Sequence, residues 1–264
     1  ELDAFVERAV ESGIDRALVT TVASRAGESG FTAQETTELL QSAVRLASEG
    51  LPARPVLGKA LEGLAKGVPF TRLHPVVGEL ETHTLEVGRY VRGWARRSDV
   101  QPVLGDAGRA NNEGGVATVI ESAARSRMRG ASSDLVRGFL DRLPENSSRR
   151  PIGTDEIATG LHVLPDMPDA NAAPAQTARL VTAAIDARLP TERVRQMPGA
   201  LRSAARQRGQ PVEALARGAA SELAAGTPAA EVLDGLFEGG RPGVGPPGVR
   251  RGGAPDDVPP GQDL

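Results

Sequence analysis

Three histidines, His74, His83 and His162, are the residues best suited to proton transfer or metal ligation near neutral pH. His74 and His83 lie nine positions apart, which does not match a zinc pair at i, i+4 on one helix, so we read all three as surface or capping residues. Asp106, Asn111, Asn112 and Glu113 supply oxygens in the glycine-rich stretch from Gly105 to Gly115, where calcium ligands would be sought. They lack the alternating acidic spacing and the twelfth-position glutamate of an EF-hand. The stretch also runs into a helix start, where backbone donors suit a phosphate. Neither Gly-x-x-x-x-Gly-Lys nor Gly-x-Gly-x-x-Gly is present. Asp166, Asp169 and Asn171 form a second oxygen-rich group, and we read both groups as loops. Ser132 and Ser133 fit helix caps, and no Gly-x-Ser-x-Gly elbow occurs. Glu35 and Glu38 fit a solvated helix face. With no cysteine, disulfides, thiolate metal sites and cysteine nucleophiles are excluded. The expectation is no catalytic residue, no metal and no cofactor. An enzyme would need His74, His83 or Asp106 to converge in one cleft.

Binding chemistry is better represented. Tyr90 and Trp94 stand four apart, on one helical face, bracketed by Arg89, Arg92, Arg96 and Arg97. Aromatic and arginine side chains are enriched at binding hot spots, and such a cluster could also meet a lipid interface or a nucleic-acid strand. The plainer alternative puts Trp94 in a core seam and leaves the arginines solvated. Arg241, Arg250 and Arg251 add cations near the C-terminus. Tyr90, Trp94, Arg92, Arg96, Arg97, Arg241, Arg250 and Arg251 are thus the candidate partner contacts.

The elements that must position them are marked by a recurring turn. A small residue, usually Gly, is followed by one variable residue, then by Pro, Thr or Asp, then by a helical run. It occurs at Gly13-Ile14-Asp15, Gly30-Phe31-Thr32, Gly50-Leu51-Pro52 and Gly67-Val68-Pro69, at spacings of 17, 20 and 17. It returns at Ala172-Ala173-Pro174, Arg188-Leu189-Pro190, Gly209-Gln210-Pro211 and Gly226-Thr227-Pro228, at spacings of 16, 21 and 17. Between Gly50 and Pro69 the first set aligns without a gap on Gly209 to Pro228, with Ala60, Leu64 and Ala65 facing Ala219, Leu223 and Ala224. We read this as an internal duplication. Glycine ends a helix in the left-handed conformation, and proline suits the first turn of the next. Asp15, and Thr32 with Glu35, supply caps where proline is absent.

This punctuation predicts an all-α fold of short helices in duplicated helical-hairpin arrays, a bundle or a short solenoid. Leu39, Leu40, Val44, Leu46 and Ala47 mark the apolar side of one helix, and Leu57, Leu61, Leu64 and Ala65 that of the next. Helices this short are marginal alone and must bury those stripes on their neighbours. Residues 1–80 form the N-terminal array, 81–170 a middle segment, 171–238 the C-terminal array and 239–264 a Gly/Pro-rich extended tail. In the middle, 79–97 reads as one longer helix with a seam of Leu80, Thr84, Val87, Val91 and Trp94. Further helices are expected at 116–128, 133–143 and 154–161, with polar linkers at 144–151 and 165–174. The tail lacks the apolar content to fold alone and is expected to dock on a partner.

The run Gly50-Leu51-Pro52 through Glu62-Gly63-Leu64-Ala65-Lys66-Gly67-Val68-Pro69 resembles a motif of uncharacterised exported bacterial helical-repeat proteins, from deltaproteobacteria and Gemmatimonadota, in which "EGLAKGVP" recurs. The resemblance covers about 30 residues. It implies an exported bacterial protein and brings no activity or site residue. Basic charge is almost all arginine, Lys59 and Lys66 being the only lysines, as in a chain from a high-GC genome. The chain opens on Glu1 rather than Met, and we read it as a mature exported chain, periplasmic or peripheral on the outer face of the cytoplasmic membrane. No window is apolar enough to span a bilayer, and the net charge of −3 argues against a nucleic-acid partner.

The resulting expectation is a non-catalytic structural or scaffolding subunit with protein partners, docked on a larger assembly such as a membrane respiratory or photosynthetic complex as an extrinsic subunit. The alternative is an exported module that takes a peptide or small ligand in a groove between the arrays.

Overall fold

A computed structural model describes residues 2–104, 113–146 and 151–237. Among the described residues the chain is all-α, with no strand. The N-terminal array comprises α1 (Leu2–Glu11), α2 (Arg16–Glu28), α3 (Ala33–Ser48), α4 (Arg54–Ala65) and the long α5 (Phe70–Ala95). The middle adds the single turn α6 (Gln101–Leu104), then α7 (Glu113–Met128), α8 (Ser133–Asn146), α9 (Thr154–Val163) and a 3-10 turn at Leu164–Asp166. The C-terminal array is α10 (Pro174–Asp186), α11 (Thr191–Arg208), α12 (Val212–Ala224) and α13 (Ala229–Phe237).

The turns form as the residue types dictate. At Gly50, with φ +64°, the Gly50 N–H donates to the Ala47 carbonyl and the Leu51 N–H to the Leu46 carbonyl, both at 2.8 Å. This is a Schellman motif, which satisfies carbonyls that a helix end leaves free. The same pair of bonds closes the turns at Gly13, Gly30, Gly67, Gly130 and Gly226. Arg188 closes another at φ +58°, a conformation unfavourable to a residue with Cβ. The residue after the left-handed position is buried at Ile14, Leu51, Ala131 and Leu189, half-buried at Phe31, Val68 and Thr227, and exposed at Gln210.

Pro174 opens α10 as expected, but elsewhere proline's position differs from the expectation. Pro69, Pro190, Pro211 and Pro228 stand just before their helices rather than inside the first turn. Pro69 has extended backbone (ψ 153°), and its carbonyl accepts from the N–H groups of Arg72 and Leu73 at 3.0 Å. Pro52 lies two residues ahead of α4, whose first turn takes Pro55 instead. The caps hold. The Leu18 N–H donates to Asp15 at 3.1 Å, and Thr32 and Glu35 form a reciprocal capping box. Ser132 is the cap of α8, accepting from the Leu135 N–H at 3.2 Å.

Helix α5 begins at Phe70 rather than 79 and runs through Pro75. Proline there removes a bond to the carbonyl four residues back, but its ring is exposed, while Leu73, Val77 and Leu80 on the other face are buried. Burial of that face offsets the lost bond. Helix α8 likewise continues past Leu143 to Asn146 with Pro144 inside it, and α11 contains Pro198, which is itself buried along with Met197 and Leu201. Helix α7 starts at Glu113, three residues before the expected start, and α9 extends to Val163. Of the two oxygen-rich loops, 105–112 lies outside the described residues, as do 147–150 of the first linker and the tail from 238.

Each helix packs chiefly on the next but one. The odd row runs α1–α3–α5–α7–α9–α11–α13, and the even row pairs α2 with α4, then α6–α8–α10–α12. Such advance along two rows is consistent with the expected bundle or short solenoid. The middle segment, whose punctuation departs from the rhythm, obeys the same rule, and α8–α10 and α9–α11 carry both rows across residues 165–174. The core is aliphatic. The seam of Leu80, Thr84, Val87, Val91 and Trp94 is buried, as are Leu39, Leu40, Leu46, Leu57 and Leu64. Val44, Ala47 and Leu61 are half-buried, and Ala65, at the end of α4, is exposed. Glycines inside helices admit neighbours: a Cβ at Gly63 would lie 2.3 Å from Leu73, at Gly88 2.4 Å from Leu51, and at Gly160 2.4 Å from Phe139.

Candidate functional site: the aromatic and arginine cluster of the long helix

The last turns of α5 place Tyr90 and Trp94 against α8. Trp94 is only 2% exposed, and its indole N–H donates to the Leu140 carbonyl at 2.9 Å. Tyr90 is half-buried, with its hydroxyl 3.4 Å from the Arg137 carbonyl and the Arg137 guanidinium over its ring at 5.4 Å. Burial raises the Tyr90 phenol above its ordinary value, and the nearby Asp141 carboxylate adds to the effect, so the ring stays neutral. Arg97 reaches Asp99 at 2.6 Å and Asp141 at 2.7 Å. The hydrogen bond from Arg97 holds the Asp99 carboxyl below its usual range. Arg92 turns to the other side and donates to the Gly50 carbonyl, closing the α3–α4 turn.

Of the candidate partner contacts, Trp94 is therefore inside the fold, and Tyr90, Arg92 and Arg97 join α5 to α8 or to the α3–α4 turn. Physically, an indole with a satisfied N–H in an aliphatic seam gains more from burial than from exposure. Arg96, with Arg89, is exposed. Arg241, Arg250 and Arg251 lie outside the described residues. Next to the cluster Ser133 donates to Glu86 at 2.5 Å, which holds the Glu86 carboxyl low, and Arg127 stands 3.6 Å away. The space bounded by Glu86, Tyr90, Ser133 and Arg137 is about 10 Å³, room for a water and no larger ligand.

The histidines do not gather. His74 stacks on Phe70 at 5.0 Å between ring centroids, and Phe70 meets Phe31 edge-on at 5.8 Å. His83 lies 3.8 Å from Glu79 on its own helix. His162 is on α9, beside Arg129. Among the described residues, no group of three or more His, Asp or Glu could hold a metal ion. The second oxygen-rich group is used structurally. Asp166 pairs with Arg129 at 2.5 Å, the Asp169 carbonyl accepts from the N–H groups of Ala172 and Ala173, and Asn171 pins the α7–α8 turn. Its side-chain oxygen accepts from the Ser132 N–H at 2.8 Å, and its amide donates to the Gly130 carbonyl at 2.7 Å.

Comparison with known proteins adds no relative. The chain matches no protein-family model, no curated protein and no solved structure.

One feature was not anticipated from the residues. An open groove of about 780 Å³ lies where the α1–α2 and α3–α4 turns meet, lined by Ile14, Asp15, Leu18, Leu51, Pro52 and Arg54 among others. Its sequence signal was the apolar residue after each glycine. It sits on the N-terminal array and not between the arrays, where α8 packs on α10. No helix among the described residues is long and apolar enough to cross a membrane.

Proposed function

We propose that the chain is a non-catalytic structural or scaffolding subunit that docks onto a larger protein assembly. The observation that carries this reading is how its functional side chains are spent. Trp94, Tyr90, Arg92, Arg97, Arg129 and Asn171 each tie one helix or turn to another. The side chains most capable of chemistry thus serve rigidity, and an extended helical stack with a Gly/Pro-rich tail is suited to holding partners in register. An extrinsic subunit of a respiratory or photosynthetic membrane complex, exported and peripheral, is the placement we favour within this reading. The test is co-purification from the native host with the full chain and with a chain ending at residue 239. Loss of the same set of partner proteins on truncation supports tail docking. Full retention, with Arg89→Glu and Arg96→Glu equally silent, would remove both proposed contact regions.

A second reading, a peptide- or ligand-binding module, is favoured by the groove at Ile14 and Leu51. Its volume falls within the range of small-molecule sites. Leu18→Arg would block that groove without touching the α5–α8 cluster, so a partner lost by this variant alone assigns binding to the groove.

A further inference from the structure

The end of α9 is tied down by two guanidinium groups. Arg129, just past α7, lies 3.3 Å from Nδ1 of His162, donates to the His162 carbonyl at 2.7 Å and pairs with Asp166 at 2.5 Å. From the other side, Arg202 of α11 donates to the Asp166 carbonyl at 2.9 Å. An arginine carries five donors and no acceptor. The contact with Nδ1 therefore requires a lone pair there, which places the proton of the neutral ring on Nε2. Protonating Nδ1 would set N–H against N–H and bring a second positive charge to the same distance.

The surroundings offer little to stabilise that charge. Helix α7 and its end contribute Arg125 and Arg129, and α11 contributes Arg195 and Arg202; Asp166, in the 3-10 turn, is the opposing carboxylate. Glu121 and Glu192 are engaged by Arg125 and Arg195 at 3.3 and 3.1 Å. Helix α10, also packed on α9, brings Arg179 and Asp186, neither among the charges that act most strongly on the ring.

We propose that His162 is an acid-released latch: neutral, it holds the end of α9 and the following turn, residues 162–170, against α7 and α11, and protonated it lets that segment open. Burial, and then the Arg129 charge, hold the His162 ring below its ordinary value of 6.5. The sign follows from linkage. A lowered value in the closed state means that protons bind the open state more tightly, so the latch is complete above the ordinary value and weakens as pH falls through it. The apolar packing of Ile157 and Leu161, ahead of that segment, carries no titrating group, and α8 on α10 remains as the second tie between middle and C-terminal array. Acid thus loosens the odd row and leaves the even row as a hinge.

The test uses the full chain. The His162 ring is titrated by NMR, and amide protection at 163–170 is measured at about pH 7.5 and about pH 5.5, corrected for intrinsic exchange. The expected result is titration below 6.5 and protection falling about three- to tenfold in acid. His162→Gln, whose amide oxygen can accept from Arg129 at either pH, should hold protection constant. His162→Lys should show the low protection already at about pH 7.5, with α2–α4 unchanged as the control for folding. Titration at or above 6.5, protection that does not change with pH, or the same acid loss in His162→Gln would overturn the latch. The wild-type and glutamine results decide the matter even if the lysine variant does not fold.

Discussion

The two arrays use matching punctuation but solve their packing differently. Gly63 of α4 leaves a notch that the buried Leu73 of α5 fills. At the corresponding positions the C-terminal array has Glu222 on α12 and Val232 on α13, a larger residue in place of the glycine and a smaller one in place of the leucine. Gly50 and Gly209 both have positive φ, +64° and +62°. Gly50 is closed over by Arg92, with Nη2 3.1 Å from where a Cβ would be, whereas nothing lies within 4 Å at Gly209. Lys59, Glu62 and Lys66 form a charged triad at α4, where the C-terminal array has Gly218, Ser221 and Ala225 at the corresponding positions. What the two arrays hold in common is the turn geometry at Gly50 and Gly209, while the contacts between their helices differ.

That comparison can be broken most severely at the notch. Gly63→Leu should cost roughly 2–3 kcal/mol in denaturant unfolding, because the extra carbons meet Leu73 in a filled core. Adding Leu73→Val, the residue used by the other array, should recover part of the loss. A fully additive double mutant would deny that the two positions share one volume. Next come the glycines at the corresponding turns. Gly209→Ala should cost about 1 kcal/mol from backbone strain alone. Gly50→Ala should cost about 2 kcal/mol, because Arg92 must also give way. Equal costs would mean that Arg92 does not close the first turn.

Arg188 sharpens the comparison in the opposite direction. It occupies the left-handed position taken by Gly30 in the first array. Arg188→Gly should relieve about 1–2 kcal/mol of strain and lose about half of that to unfolded-state entropy, a net gain of roughly 0.5 kcal/mol in the unfolding free energy, read in denaturant titration. The smallest effect is expected at Glu62, whose carboxyl the Lys66 and then the Lys59 hydrogen bond hold down at about 2. A depressed carboxylate contributes stability above its unfolded value that is lost as pH falls from 4.5 towards 2. Solvent screens this exposed triad, so Glu62→Gln should change stability by only about 0.5 kcal/mol at neutral pH, and less in high salt.

Much of this architecture is legible in the residues because it is local. A glycine stop at Gly50 or Gly67, a cap at Asp15, Thr32 or Ser132, and the seam ending in Trp94 each need only a few neighbouring positions to be read. What was hidden depends on distant partners. Pro75 continues its helix because burial of the opposite face outweighs a missing bond, and Pro198 sits on the buried face of its helix, and no local rule shows either face being covered. Asn171 pins a turn 39 to 41 residues earlier in the chain. Gly63, Gly88 and Gly160 read as weak helix formers until the side chains filling them are known. The aromatic and arginine cluster was legible as a group, but the orientation of each member was set by α8 and the α3–α4 turn.

The central claim is that the middle segment and the C-terminal array form one stack, joined where α8 lies on α10. The chain has no cysteine, so a single engineered pair reports this contact without background. A Cβ at Gly138 would lie 3.9 Å from that of Ala178, within the range that a disulfide spans. Under mild oxidation Gly138→Cys with Ala178→Cys should form an intramolecular bond nearly completely, with helical circular dichroism unchanged. A folded double variant that stays reduced, or that links only between molecules, would contradict the stack.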